Sequence, residues 1–134
     1  MGTWGVGTFE NDDAADWLYE LQSSEDGSML QAALEGSATP DSYLEAPEGV
    51  QILCACEILA SLQGQPDPDL PAGVEDWVQE HKSLDVCSLL LIACKQIDRV
   101  LDDRSELREL WQENEAEFPI WRESVLALKA KLCT

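Results

Sequence analysis

The sequence predicts an all-α fold, a compact single-domain bundle of five to seven helices, and three observations carry that expectation. Apolar residues recur at alternating steps of three and four in one window after another, the spacing that lines one side of a helix. No window of any length alternates with period two, the mark of a half-covered strand. The chain has 134 residues, of which 45% are hydrophobic, enough for one core and too few to make two domains the expectation. That hydrophobic share also argues for a folded chain despite its extreme charge.

The elements follow in order. Residues 1–10 carry Gly2, Gly5 and Gly7 among Trp4, Val6 and Phe9, which reads as a glycine-rich loop whose aromatics tuck against the core. Asn11 or Asp12 can cap the free N–H groups of a first helix, and Asp13 and Asp16 suit the positive end of its dipole. Ala14, Trp17, Leu18 and Leu21 fall on one face, which predicts a helix over 12–22. Leu30, Ala33 and Leu34 predict a second, shorter helix that stops near Gly36. A connecting loop runs from Ser37 to Glu48 through Pro40, and Pro47 opens a third helix. There Ile52, Leu53, Cys56, Leu59 and Ala60 share a face, nearly every position is apolar or small, and Gly64 ends the run. This helix is expected to be central.

Three prolines between Gln65 and Pro71 forbid helix, so 65–72 is predicted to be a stiff connector. Val74, Trp77, Val78 and His81 then mark a short fourth helix. A long fifth is expected from Leu84 to Asp103, with Cys87, Leu90, Leu91, Cys94, Ile97 and Leu101 inward. Ser105 can cap a sixth helix carrying Leu107, Leu110 and Trp111. Around Pro119 a last helix follows, with Phe118, Trp121, Val125, Leu128 and Leu132 on one side. No internal repeat supports a solenoid.

The charge is the outlier. Residues 1–81 hold 17 Asp or Glu and no Lys or Arg, whereas 82–134 hold 10 acids against 8 bases, so the net charge of −19 divides into −17 and −2. With no basic patch to neutralise phosphate, nucleic acid and anionic membrane surfaces are disfavoured partners. A basic protein, or cations, is favoured. No apolar run reaches the roughly 18 residues of a membrane span, and the opening segment lacks the basic start and apolar stretch of a signal peptide. Val6 stands where a myristoylation motif wants Ser or Thr. The odd set of cysteines, Cys54, Cys56, Cys87, Cys94 and Cys133, sits mostly in helix-like apolar runs, which suits small core residues in a reducing, cytoplasmic setting. Cys87 and Cys94, seven apart on one helix, would lie about 10 Å from each other, too far for a disulfide. With one histidine and no Cys-x-x-Cys pair, a zinc site or redox dithiol has little to be made from.

Candidate site residues come from the acidic half. Glu10, Asn11, Asp12, Asp13 and Asp16 lie close in sequence; their carboxylates could hold a divalent cation, but the spacing does not match a calcium loop, and helix capping with dipole matching is the favoured reading. The preceding glycines follow no strand and lack a Walker lysine, so they do not cradle phosphate. Hydrolase chemistry would need His81 with Ser83 or Cys87; the position of His81 on the face of Val74, Trp77 and Val78 near a helix end points instead to a structural bond to a carbonyl. Of the tryptophans, Trp17, Trp77, Trp111 and Trp121 fall on or beside core faces, while Trp4 beside an acidic rim has the layout of an interface anchor.

The run Met1-Gly2-x-Trp4-Gly5-x-Gly7-x-Phe9-x-Asn11-Asp12-Asp13-Ala14-x-Asp16-Trp17-Leu18 resembles the start of a bacterial family known as domain of unknown function 4259. Tyr43-Leu44-Glu45-Ala46-Pro47-Glu48 and Ser105-Glu106-Leu107-x-Glu109-Leu110-Trp111 are similar to it too. The resemblance implies a bacterial, cytoplasmic, α-helical protein and carries no catalytic residues or cofactor to transfer.

The reading that follows is a protein-binding module for a basic partner. Asp12, Asp13, Asp16, Glu20, Asp67, Asp69, Glu75 and Asp76 would steer encounter, and Trp4 or Phe9 would supply apolar contact. Neutralising a basic toxin and mimicking DNA toward a DNA-binding enzyme are two forms of it. The alternative is a metal-dependent enzyme centred on Asn11 to Asp16, with Asp12, Asp13 and Asp16 as the metal ligands.

Overall fold

The structure, a computed structural model, describes residues 11–35, 43–65 and 70–132. They form seven helices: α1 (Asp12–Gln22), α2 (Ser28–Glu35), α3 (Ala46–Leu62), α4 (Ala72–Glu80), α5 (Cys87–Val100), α6 (Glu106–Gln112) and α7 (Phe118–Leu132). This is the all-α bundle that the sequence predicts, at the upper end of its helix count. The Gly-rich loop, Gly36, Pro40, the connector residues 66–69 and Cys133 lie outside the described residues.

α3 is the axis of the bundle, touching each of the other six helices. Its sequence has no polar side to turn outward, and every residue from Ile52 to Ser61 is buried. Local signals set its ends. Pro47 occupies the first turn, where a missing N–H costs nothing, and Glu48 Oε1 accepts from the Glu45 N–H at 3.1 Å. At the far end Gly64 takes φ +88°, and the Gln65 N–H reaches back to the Ala60 carbonyl at 2.9 Å, a glycine stop of the expected kind.

The outer helices bury single stripes. Ala14, Trp17, Leu18 and Leu21 of α1, Leu30, Ala33 and Leu34 of α2, Val74, Trp77 and Val78 of α4, and Trp121, Val125, Leu128 and Leu132 of α7 all reach the core, as their spacing predicts. Asn11 caps α1 by accepting from the Ala14 N–H at 2.8 Å, and Ser105 caps α6 by accepting from the Arg108 N–H at 3.3 Å. Ahead of α3 the chain is clasped to the start of α6: Leu44 N–H donates to the Arg104 carbonyl at 2.8 Å, Glu106 N–H to the Leu44 carbonyl at 2.9 Å, and Ala46 N–H to Glu106 Oε1 at 2.7 Å. The resulting parallel bridge between Leu44 and Ser105 is an isolated one.

α5 departs from expectation in length and in facing. It starts at Cys87 and stops at Val100, because Asp85 turns back to accept from the Cys87 N–H at 3.2 Å and residues 101–104 form turns. Ala93, Gln96, Ile97 and Val100 are buried; Leu90, Cys94 and Leu101 are half-buried, and Cys87 and Leu91 are exposed, contrary to the inward set read from sequence. The run Leu89-Leu90-Leu91-Ile92-Ala93-Cys94 is apolar all round, so its period names no single face, and packing against α2, α3 and α7 selected one. Gln96 is drawn inward by chemistry: its Nε2 donates to the Leu34 carbonyl in the last turn of α2, where carbonyls have no partner within the helix.

Candidate functional site

Most of the exposed acids of the first half stand on α1 and α4, which pack against each other. Ala14, Trp17, Leu18 and Leu21 point α1 into the core, which leaves Asp12, Asp13, Asp16 and Glu20 on its outer side, all exposed. Burial of Val74, Trp77 and Val78 does the same for α4 and turns Glu75, Asp76 and Glu80 outward. Glu25 and Asp26, in the turn after α1, extend the surface and are also exposed. Asp26 accepts from the Ser28 N–H at 3.0 Å, and its hydrogen bonds to Ser28 hold its carboxyl below the usual range, which keeps its charge in place. The two helices approach closely: a methyl added at Gly73 would lie 2.3 Å from Gln22 Oε1.

Asp12, Asp16 and Glu20 succeed one another at steps of four, a spacing at which like charges repel on a helix surface. Nothing in residues 1–81 offers a Lys or Arg to compensate them. On the same side of α1 as Asp12 and Asp16 stands Tyr19, 76% exposed and the most exposed large apolar side chain among the described residues. Sequence reasoning passed over Tyr19, yet the signal was present: it falls off the Ala14, Trp17, Leu18, Leu21 stripe and on the side of Asp12 and Asp16. Trp4, Phe9, Asp67 and Asp69, also expected here, lie outside the described residues. Among the described residues no three His, Cys, Asp or Glu side chains converge on a point that could hold a metal ion.

The sequence profile of a family described as Domain of unknown function (DUF4259) matches residues 2–124. The chain belongs to that family. The match runs from ahead of α1 into α7, so in this DUF4259 protein the acidic half and the charge-mixed half are parts of one family unit. No curated protein and no solved structure matches the chain.

The remaining sequence candidates in this family member resolve as packing and latching groups. His81 closes the end of α4, with Nδ1 2.7 Å from the Trp77 carbonyl oxygen and Nε2 3.1 Å from that of Glu25, so both nitrogens are engaged with backbone rather than with Ser83 or Cys87. Trp77 is buried and donates from Nε1 to the Ser24 carbonyl at 2.9 Å. Trp111 and Phe118 stack beside Trp121, at 6.3 and 6.0 Å between ring centres. Cys54 and Cys56 are core residues as expected, and burial pushes both thiols well above the ordinary range. Two cysteines differ from the expected reduced, inward set: Cys87 is an exposed free thiol, and Cys94 is disulfide-bonded. A charged residue missed in the sequence is Glu57, buried on α3 in the same stretch as Cys54 and Cys56, where its carboxyl raises both thiols further. Its signal was a lone carboxylate inside an apolar run. No helix among the described residues is long and apolar enough to cross a membrane.

Proposed function

We propose that this protein is an electrostatic binding module whose α1–α4 side docks onto a basic partner protein. One observation carries the reading: Asp12, Asp13, Asp16, Glu20, Glu75, Asp76 and Glu80 are all exposed on two adjacent helices, in a segment that contains no base. Such a surface attracts a cationic partner over about one Debye length, roughly 8 Å at physiological salt, and repels phosphate and anionic lipid. Tyr19 is placed to give the apolar contact within the charged rim, the part that sequence reasoning assigned to Trp4 or Phe9.

The bacterial, cytoplasmic setting implied by the family is part of this reading. The buried thiols of Cys54 and Cys56 suit it, whereas the Cys94 disulfide is a feature of oxidising compartments.

The test is affinity capture at low salt followed by binding measurements on the captured basic protein across a salt series. Wild type should lose affinity steeply as salt rises. The variant Asp12→Asn, Asp13→Asn, Asp16→Asn, Glu20→Gln should bind more weakly, with a shallower salt slope and an unchanged far-ultraviolet spectrum. Equal slopes for the two proteins would sink the proposal, and a stoichiometric divalent metal in the purified protein would favour a metal-dependent enzyme instead.

A further inference from the structure

His81, the single histidine of the chain, sits between two backbone carbonyls that both ask it to donate. A neutral imidazole has one N–H and one lone pair, so it can serve one of them and must turn its lone pair toward the oxygen of the other. Only the imidazolium, with two N–H groups, satisfies the Trp77 carbonyl at 2.7 Å and the Glu25 carbonyl at 3.1 Å together. The surroundings favour the same form. The ring lies on the indole of Trp77 with centres 4.0 Å apart and planes 16° from parallel, the geometry of a cation over an aromatic face. It also closes the C-terminal end of α4, where the helix dipole favours positive charge. From the α1–α2 turn the Asp26 carboxylate attracts it and Glu25 accepts from it through its backbone carbonyl; Glu80 and Lys82, of opposite charge, flank it in the chain.

We propose that His81 is a proton-dependent latch, holding the α1–α2 turn to the end of α4 as an imidazolium and releasing one of its two carbonyls when it loses a proton. The inference does not depend on the binding reading, although the latch joins the two helices that carry the acidic surface. Trp77 anchors the same turn through Ser24, so loss of the proton loosens the joint at Glu25 without freeing Ser24. The sign follows from the charged form being the one with more bonds in the fold. The latch is therefore expected to hold under acid conditions, where the ring can donate to both carbonyls, and to be lost under alkaline ones, where it can donate to one.

With one histidine there is one imidazole spin system, so nitrogen-15 NMR of the intact wild-type protein reads the latch without any substitution. Two slowly exchanging ring N–H protons are expected at pH 5.5 and one at pH 8.5. Urea unfolding of wild type and His81→Gln at the two pH values supplies an independent readout. The ratio of their folding constants should be roughly tenfold larger at pH 5.5, in keeping with a hydrogen bond to a charged group. A single ring N–H in slow exchange at pH 5.5, or a wild-type to His81→Gln ratio that does not change with pH, would overturn the proposal.

Discussion

The two halves of the chain build one core but treat charge in opposite ways. Up to His81, acids stand outward on α1, on the turn after it and on α4, and the segment holds no Lys or Arg to meet them. After His81, acids and bases interleave and find each other: Lys129 Nζ lies 2.6 Å from Asp98 Oδ1, tying α7 to α5, and Arg108 pairs with Asp103. Arg108 also lies over the Phe118 ring at 6.0 Å. The second half shows that this fold has room for ordinary surface pairing, so uncompensated charge in the first half is not a requirement of packing. Stability comes from the core that both halves share; the asymmetry is a property of the surface.

Five experiments break or sharpen that comparison. The largest effect is expected in α3, which packs against helices of both halves. Leu59→Ala, at a fully buried position, should cost about 2–5 kcal/mol in urea unfolding, and both halves should unfold in one transition. Separate transitions would show that the halves are independent units. Next comes the clasp between them. Ser105→Ala removes the α6 cap inside the Leu44 bridge and should cost about 1 kcal/mol, read as a shift of the urea midpoint with an unchanged slope.

Charge substitutions should matter less. Asp98→Asn breaks the exposed pair with Lys129 and should cost no more than about 1 kcal/mol, fading in high salt. In the first half, Glu20→Gln and Asp76→Asn should change stability by no more than about 0.5 kcal/mol, since there is no ion pair to lose. A clear stabilisation there would mean that repulsion on the acidic side is stronger than its exposure implies. The smallest effect concerns Tyr43, whose hydroxyl donates to Glu109 Oε2 at 2.8 Å across the clasp. That bond, with the Glu109 carboxylate itself, pushes the phenol up to about 12. The neutral phenol is the bonded form, so its contribution is complete below about pH 10, where an unfolded tyrosine is also neutral, and disappears as pH rises through 12. Phenolate absorbance should show one of the two tyrosines titrating late, and Tyr43→Phe should remove that phase.

The contrast between α1 and α5 explains what could be read from the sequence. In α1 the buried apolar residues occupy one stripe and the acids lie off it, so Ala14, Trp17, Leu18 and Leu21 were legible as core and Asp12, Asp16 and Glu20 as surface. The cap at Asn11 and the glycine stop at Gly64 were equally plain, because each is chemistry between residues a few positions apart. In α5 the apolar residues run all the way round, and periodicity had no face to choose. Only contact with α2, α3 and α7 put Ala93 and Gln96 inside and left Leu91 72% exposed. For the candidate site, the acids were visible as a count and Tyr19 as an off-stripe aromatic, but that α1 and α4 lie side by side is a long-range fact with no local signal.

By itself the sequence determined the helical class, the capped starts of α1 and α6, the glycine stop of α3 and the segregation of charge, since spacing, capping and composition act through near neighbours along the chain. The tertiary structure alone decided which sides of α5 and α6 are covered, that Leu44 meets Ser105, and that the His81 ring meets the carbonyl of Glu25. Those contacts join residues 50 or more positions apart, and their geometry is set by how six helices fit around α3, which no local pattern encodes.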